Sequence, residues 1–248
     1  MKLELHPNKK FSYIPAISAY SSGVVPSLGY CLVGLRFNEP LNFLSALNYL
    51  YDYLPRVDLD PFNIVSFEFR CPQPFSFAGF DDFNTVYFNE LGRRKLLIGE
   101  INPIARTNVS PLLTELSEPV LFGSHVLKET SQLNNDFVVA GSGEVKGPLD
   151  PGNIIARADL SQRGLEEKVN FVLEEMLNRL LTLKEKYIEP TEINVYTVHH
   201  IPNLIDIIND HLPGLAKSCV HLWKCAPPIL EVEFEMDLRL LSNQLLIH

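Results

Sequence analysis

The chain has 248 residues, with 21 Lys and Arg against 30 Asp and Glu for a formal charge of −9; 46% of its residues are hydrophobic and 21% charged. That balance excludes disorder as the general state and argues against nucleic acid as a partner, because phosphate neutralisation needs a surplus of Lys and Arg. No apolar run approaches the roughly 18–20 residues of a membrane span, and the opening MKLELHPNKK lacks the apolar centre of a secretory signal, so no membrane partner and a cytoplasmic location are expected.

The first strand signal is the apolar run YCLVGLRF at 30–37. Pro40 opens a helical pattern in which Leu44, Leu47, Leu50, Tyr51 and Leu54 share one face, and Pro55 stops it. IVSFEFR at 64–70 alternates and is rich in β-formers. After the break CPQP, the run FAGFDDFNTVYFNEL predicts a second helix, with Phe80, Phe83, Val86, Tyr87 and Leu91 on its stripe and Gly92 at its end. Two strands are expected at 104–109 and 120–127.

The second half repeats this order. DFVVAGSGE at 136–144 reads as a strand, and a long helix is predicted over 165–187 with Leu165, Val169, Val172, Leu173, Met176, Leu177 and Leu180 inward. A strand at 192–199, a short helix from Pro202 to near Leu212, and strands at 217–223 and 229–238 follow. The order β-α-β-α-β-β thus occurs twice, and a polar stretch at 128–135 separates the two runs. The expected fold class is α+β, with two tandem domains over 1–130 and 131–248, each a mixed sheet with two helices on one face.

Four cysteines, Cys31, Cys71, Cys219 and Cys225, show no zinc-ligand spacing. The adjacent His199 and His200 sit on a strand pattern that points them to opposite faces, so no metal is expected. Gly141-Ser142-Gly143 is too short for a phosphate loop.

Over 137–237 the chain resembles the Rid family, the reactive intermediate deaminases (YjgF/RidA type), whose domains are chorismate-mutase-like. The residues that carry the likeness are the strand VVAGSGEV, the helix beginning near Gln162, and EINVYTVH. Ala216-Lys217-Ser218-Cys219-Val220 is similar to the family's A-R-S-C-V strand, and Val232-Glu233-Phe234-Glu235 to its closing V-E-I-E. In the first half, Ser18-Ala19-Tyr20-Ser21-Ser22-Gly23 resembles the family's G-P-Y-x-Q-G segment and Ala105-Arg106-Thr107-Asn108-Val109 its A-R-S-C-V strand. Among tandem forms the chain is most similar to the larger 2-aminomuconate deaminases, through its length and its NPIARTNVSP segment.

The resemblance implies a cofactor-independent hydrolysis of an enamine or imine carboxylate with release of ammonia, by a homo-oligomer expected to be a trimer. It implies Arg106 as the carboxylate anchor, Asn108 beside the reacting carbon and Glu233 as acid and base, with Tyr20, Lys217 and Cys219 in the substrate-binding wall. Lys217 stands where the family has Arg, which keeps the charge but loses the two-pronged donor geometry. Glu231, Glu233 and Glu235 alternate, and the plainer reading puts all three on the solvent face of a strand. A chorismatase-like lyase or hydrolase and a non-catalytic binder of small carboxylates are the alternatives.

Overall fold

A computed structural model describes residues 1–17, 19–212 and 220–247. The chain opens with β1 (Glu4–Leu5), β2 (Phe11–Ile17) and β3 (Tyr20–Pro26), then the long β4 (Tyr30–Asn42) and helix α1 (Phe43–Tyr53). Strand β5 (Ile64–Arg70) leads through α2 (Phe77–Arg93) to β6 (Ala105–Pro111) and β7 (Val120–Glu129). The remainder is β8 (Phe137–Gly143), α3 (Gln162–Lys184), β9 (Glu192–Thr197), α4 (Leu204–His211), β10 (Val220–Trp223), β11 (Cys225–Ala226), β12 (Phe234–Leu240) and β13 (Asn243–Ile247).

These strands join one mixed sheet of 13 strands with the main order β10-β9-β12-β8-β3-β6-β5-β7-β4-β13. The expectation of two tandem Rid-like, chorismate-mutase-like domains is therefore corrected: the hydrogen-bond ladder does not stop between the halves. β3 pairs antiparallel with β8 and touches β6 in parallel, and β13 pairs parallel with β4 at the far edge. The sequence reading found no strand before Tyr30 and none after Leu238, so the strands that join the halves into one sheet were missing from it.

Helix boundaries follow local chemistry. α1 starts at Phe43 rather than Pro40, because Pro40 to Asn42 still belong to β4 and the Asn42 side chain accepts from the Ser45 N–H. Ser76 and Ser161 cap α2 and α3 in the same way. α2 passes Gly92 and ends at Arg93. Val86, placed on its inner stripe, is 62% exposed, while Phe80, Tyr87 and Leu91 are buried.

α1 and α2 cover one part of the sheet through Leu47, Leu50, Tyr87 and Leu91 against Phe67 and Phe69. α3 and α4 cover the other through Val169, Val172, Met176 and Ile208 against Val195, Phe234 and Met236. The sheet curls enough that Arg239 of β12 reaches Glu68 of β5, with Nη1 2.6 Å from Oε1. The Gln244 side chain of β13 meets Glu192 of β9, so the two edge regions of the sheet approach each other.

Candidate active site

Where the two helix-covered regions meet, a cavity of about 390 Å³ opens between α2 and α3. Its size is that of a small-molecule site. β3 contributes Tyr20, β6 Arg106 and Asn108, β8 Gly141 and Ser142, α3 Arg179, and β12 Glu235. Apolar walls come from Phe80, Phe171, Ile229 and Val232.

Arg106 is buried, and its Nη2 donates to Asn84 Oδ1 at 2.6 Å. Four rings surround the guanidinium, with Tyr87, Tyr20, Phe83 and Phe80 centred 4.6, 4.9, 5.3 and 5.5 Å from its carbon. Their faces offset part of the cost of taking the cation out of water. Among the described residues Arg106 Nη1 has no acceptor, and both side-chain polar atoms of Asn108 are buried without a partner. Burial pushes the Tyr87 phenol up to about 12 and the Tyr20 phenol upward, against the pull of Arg106 on both, so each keeps its proton at neutral pH.

Arg179 enters from α3. Its Nη1 donates to Ala140 O at 3.3 Å and Gly141 O at 3.5 Å, and its Nη2 to Ser142 Oγ at 2.9 Å. Its Nε is buried and has no hydrogen-bond acceptor among the described residues.

Glu235 supplies the carboxyl group. Burial, then the neighbouring Asp237 and Glu144, raise its proton affinity well above the ordinary carboxylate range, and Arg179 and Arg106 oppose this without reversing it. A carboxyl of raised proton affinity in a cavity with two guanidinium groups is equipped to carry a proton. Glu144 fixes the approach of β12: its carboxylate accepts the N–H groups of Glu233 at 2.7 Å and Phe234 at 3.1 Å and pairs with the fully buried Lys168 at 3.2 Å.

Arg106, Asn108 and Tyr20 thus share one cavity. Glu233 is not among the residues that line it; its Oε2 lies 2.6 Å from His199 Nε2 on a partly exposed flank. Lys217 and Cys219 lie outside the described residues. Glu231, Glu233 and Glu235 do not share one face, because β12 starts only at Phe234 and Glu231 takes a positive φ of 71°. Glu231 instead pairs with Arg157 at the surface, with Oε2 2.6 Å from Nε. Sequence reasoning missed Glu235 and Arg179. The available signals were a carboxylate between Phe234 and Met236, and a cation one residue before the inward Leu180. Gly141-Ser142-Gly143, set aside as a phosphate loop, forms part of the cavity wall.

Comparison with known proteins places this geometry. A solved chorismatase covers 97% of this chain and 79% of its own, with a TM-score of 0.52 at 9% identity. A cyanuric acid hydrolase structure covers 88% and 69%, with a TM-score of 0.46 at 11% identity. The chorismatase likeness shows the fold alone, and it is this curled single sheet that replaces the expected pair of Rid-like domains. The 2-amino-5-chloromuconate deaminase of Comamonas testosteroni is 34% identical over 238 residues, 92% of each chain. The profile of the 2-aminomuconate deaminase CnbZ family matches residues 3–245, so the chain belongs to that family, whose deaminases are enzymes that act on C–N bonds.

Proposed function

We propose that this protein deaminates 2-aminomuconate or a substituted relative by hydrolysis. The enamine takes a proton on carbon to become an iminium ion. Water adds to the C=N carbon, and the carbinolamine collapses to a ketone and ammonia, consuming one water. Such chemistry asks for a held carboxylate, a proton carrier and an oriented water. In this reading Arg106 holds the carboxylate next to the C–N bond, Glu235 carries the proton, and Asn108 and Tyr20 orient the adding water and the substrate nitrogen.

The observation that carries the reading is the buried Arg106, whose Nη1 has no acceptor among the described residues, in one cavity with the carboxyl of Glu235, whose proton affinity burial raises. A guanidinium offers a carboxylate two parallel donors, which a point charge cannot. A homo-oligomer, with a trimer as the first expectation, is part of the proposal. Exposed Leu222 and Trp223 on β10 and Leu245 and Leu246 on β13 support it, and light scattering tests it.

Ammonia release from 2-aminomuconate by the purified chain is the deciding measurement, with chorismate as control substrate. Arg106→Ala is expected to lower kcat/KM by roughly 2–5 kcal/mol of transition-state stabilisation, while Lys217→Ala changes it little. No ammonia from the wild type, or an Arg106→Ala variant as active as wild type, overturns the proposal.

A further inference from the structure

The cavity holds more positive charge than its own residues neutralise. The charged side chains lining it among the described residues are Arg106, Arg179, Lys146, Glu175 and Glu235. Lys146 stands exposed. No carboxylate among the described residues comes within ion-pair distance of Arg106. The nearest to Arg179 is the partly exposed Glu175, with Oε2 3.9 Å from Nε. Burial raises the proton affinity of Glu235 well above the ordinary carboxylate range, so it offsets this charge only in part. The buried Arg106 has no ionised partner among the described residues and the partly buried Arg179 has only a partly exposed one 3.9 Å away; such charge is costly in the free protein, and the cost falls if a ligand brings further negative charge.

Each guanidinium also has a buried N–H group without a hydrogen-bond acceptor among the described residues: Nη1 of Arg106 and Nε of Arg179. They reach the same cavity from different elements, one on β6 and one on α3, with Phe80, Phe171 and Val232 as apolar wall. Two guanidinium donors beside an apolar wall complement a ligand with two carboxylates and an unsaturated middle. We propose that Arg179 is the specificity-determining residue that takes the carboxylate remote from the C–N bond, while Arg106 takes the near one. The assignment of near and remote ends rests on the deaminase reading above. The backbone bonds of Arg179 to Ala140 and Gly141 fix the guanidinium before the ligand arrives, which limits the ordering cost of binding.

The test is calorimetric binding of two stable probes to the full chain: cis,cis-muconate, with two carboxylates, and sorbate, a six-carbon diene with one. The wild type is expected to prefer muconate by about tenfold or more, the scale of one charge-assisted pair. Arg179→Met should abolish that preference and leave the Kd for sorbate within about twofold, since a single charge-assisted contact is removed. Arg179→Lys, which keeps the charge and loses the planar fork, should retain part of it and serves if the Met variant does not fold. An unchanged muconate-to-sorbate ratio in the folded variant, an equal loss for both probes, or no preference in the wild type overturns the inference. Ammonia release by the wild type is measured in parallel. Its failure sinks the deaminase reading and leaves the binding result standing, whereas ammonia release with an unchanged ratio sinks the role of Arg179 alone.

Discussion

Arg239 and Glu68 face each other across the concave side of the sheet at 2.6 Å, although three strands separate β12 from β5 in the ladder. Asp237 grips the other side of the Arg239 guanidinium at 2.9 and 3.1 Å, and Arg36 reaches the second Glu68 oxygen at 3.1 Å. The curl that brings α2 and α3 to one cavity is thus tied by buried charges. Glu68→Gln leaves these cations facing a neutral amide and should cost about 3–5 kcal/mol. Urea unfolding with an unchanged slope measures it, and a midpoint equal to wild type contradicts it.

The same cluster predicts acid lability. Burial, with Arg239 and Arg36, pushes His125 from 6.5 down to about 3, against the pull of Glu68. The unfolded chain binds this proton below about pH 6.5 and the native protein does not, so stability is lost as pH falls through that window. Burial pushes Glu68 upward, but Arg239, Arg36, His125 and Arg70 together hold it below 4.5, which adds a further loss below that pH. His125→Asn should flatten the stability profile between about pH 6.5 and 4.5. Thermal melts across that range decide it, and a variant as pH-dependent as wild type rules it out.

Glu235→Gln separates activity from stability. The amide resembles the protonated acid but cannot donate its proton, so kcat should fall roughly a hundredfold to ten-thousandfold. Unfolded Glu235 ionises near 4.5 and the native carboxyl keeps its proton to higher pH, so raising pH through that interval weakens the wild type. The variant escapes this loss. Its Tm should exceed that of wild type at pH 7–8 and converge with it near pH 4. A lower Tm at pH 8 contradicts the assigned protonation.

Gly141 marks the closest approach in the cavity wall. A Cβ there would collide with Glu235 Oε1 and come within 3.0 Å of Thr107 Cγ2. Gly141→Ala should displace the carboxyl and lower kcat more than it raises KM. Steady-state kinetics at matched thermal stability test this, and unaltered kcat rejects it.

The elements that carry strong periodicity were legible in the sequence. IVSFEFR became β5 with the expected bounds, and the inward stripe of α3 lies in the core. Strands β2 and β3 were not, because FSYIPAI and YSSGVVP are interrupted by Pro and small polar residues and carry no clean alternation. Arg106, Asn108 and Tyr20 could be placed together through the likeness of their segments to a known family. Glu235 could not, because the choice among three alternating glutamates depends on where β12 begins, and the turn at Glu231 breaks the parity that sequence counting assumes.

Strand β13 gives the topology a consequence for how the protein is made. It lies in parallel along β4, which is synthesised about 200 residues earlier, so the growing chain carries an open strand edge until β13 emerges. On that edge sit Val33 and Leu35, buried in the complete fold and paired there with Asn243 and Leu245. An exposed edge is a template for pairing with the wrong chain. Slowing the ribosome between β4 and β13 would lengthen that exposure, so the yield of folded protein should depend on how fast the stretch of message between them is read.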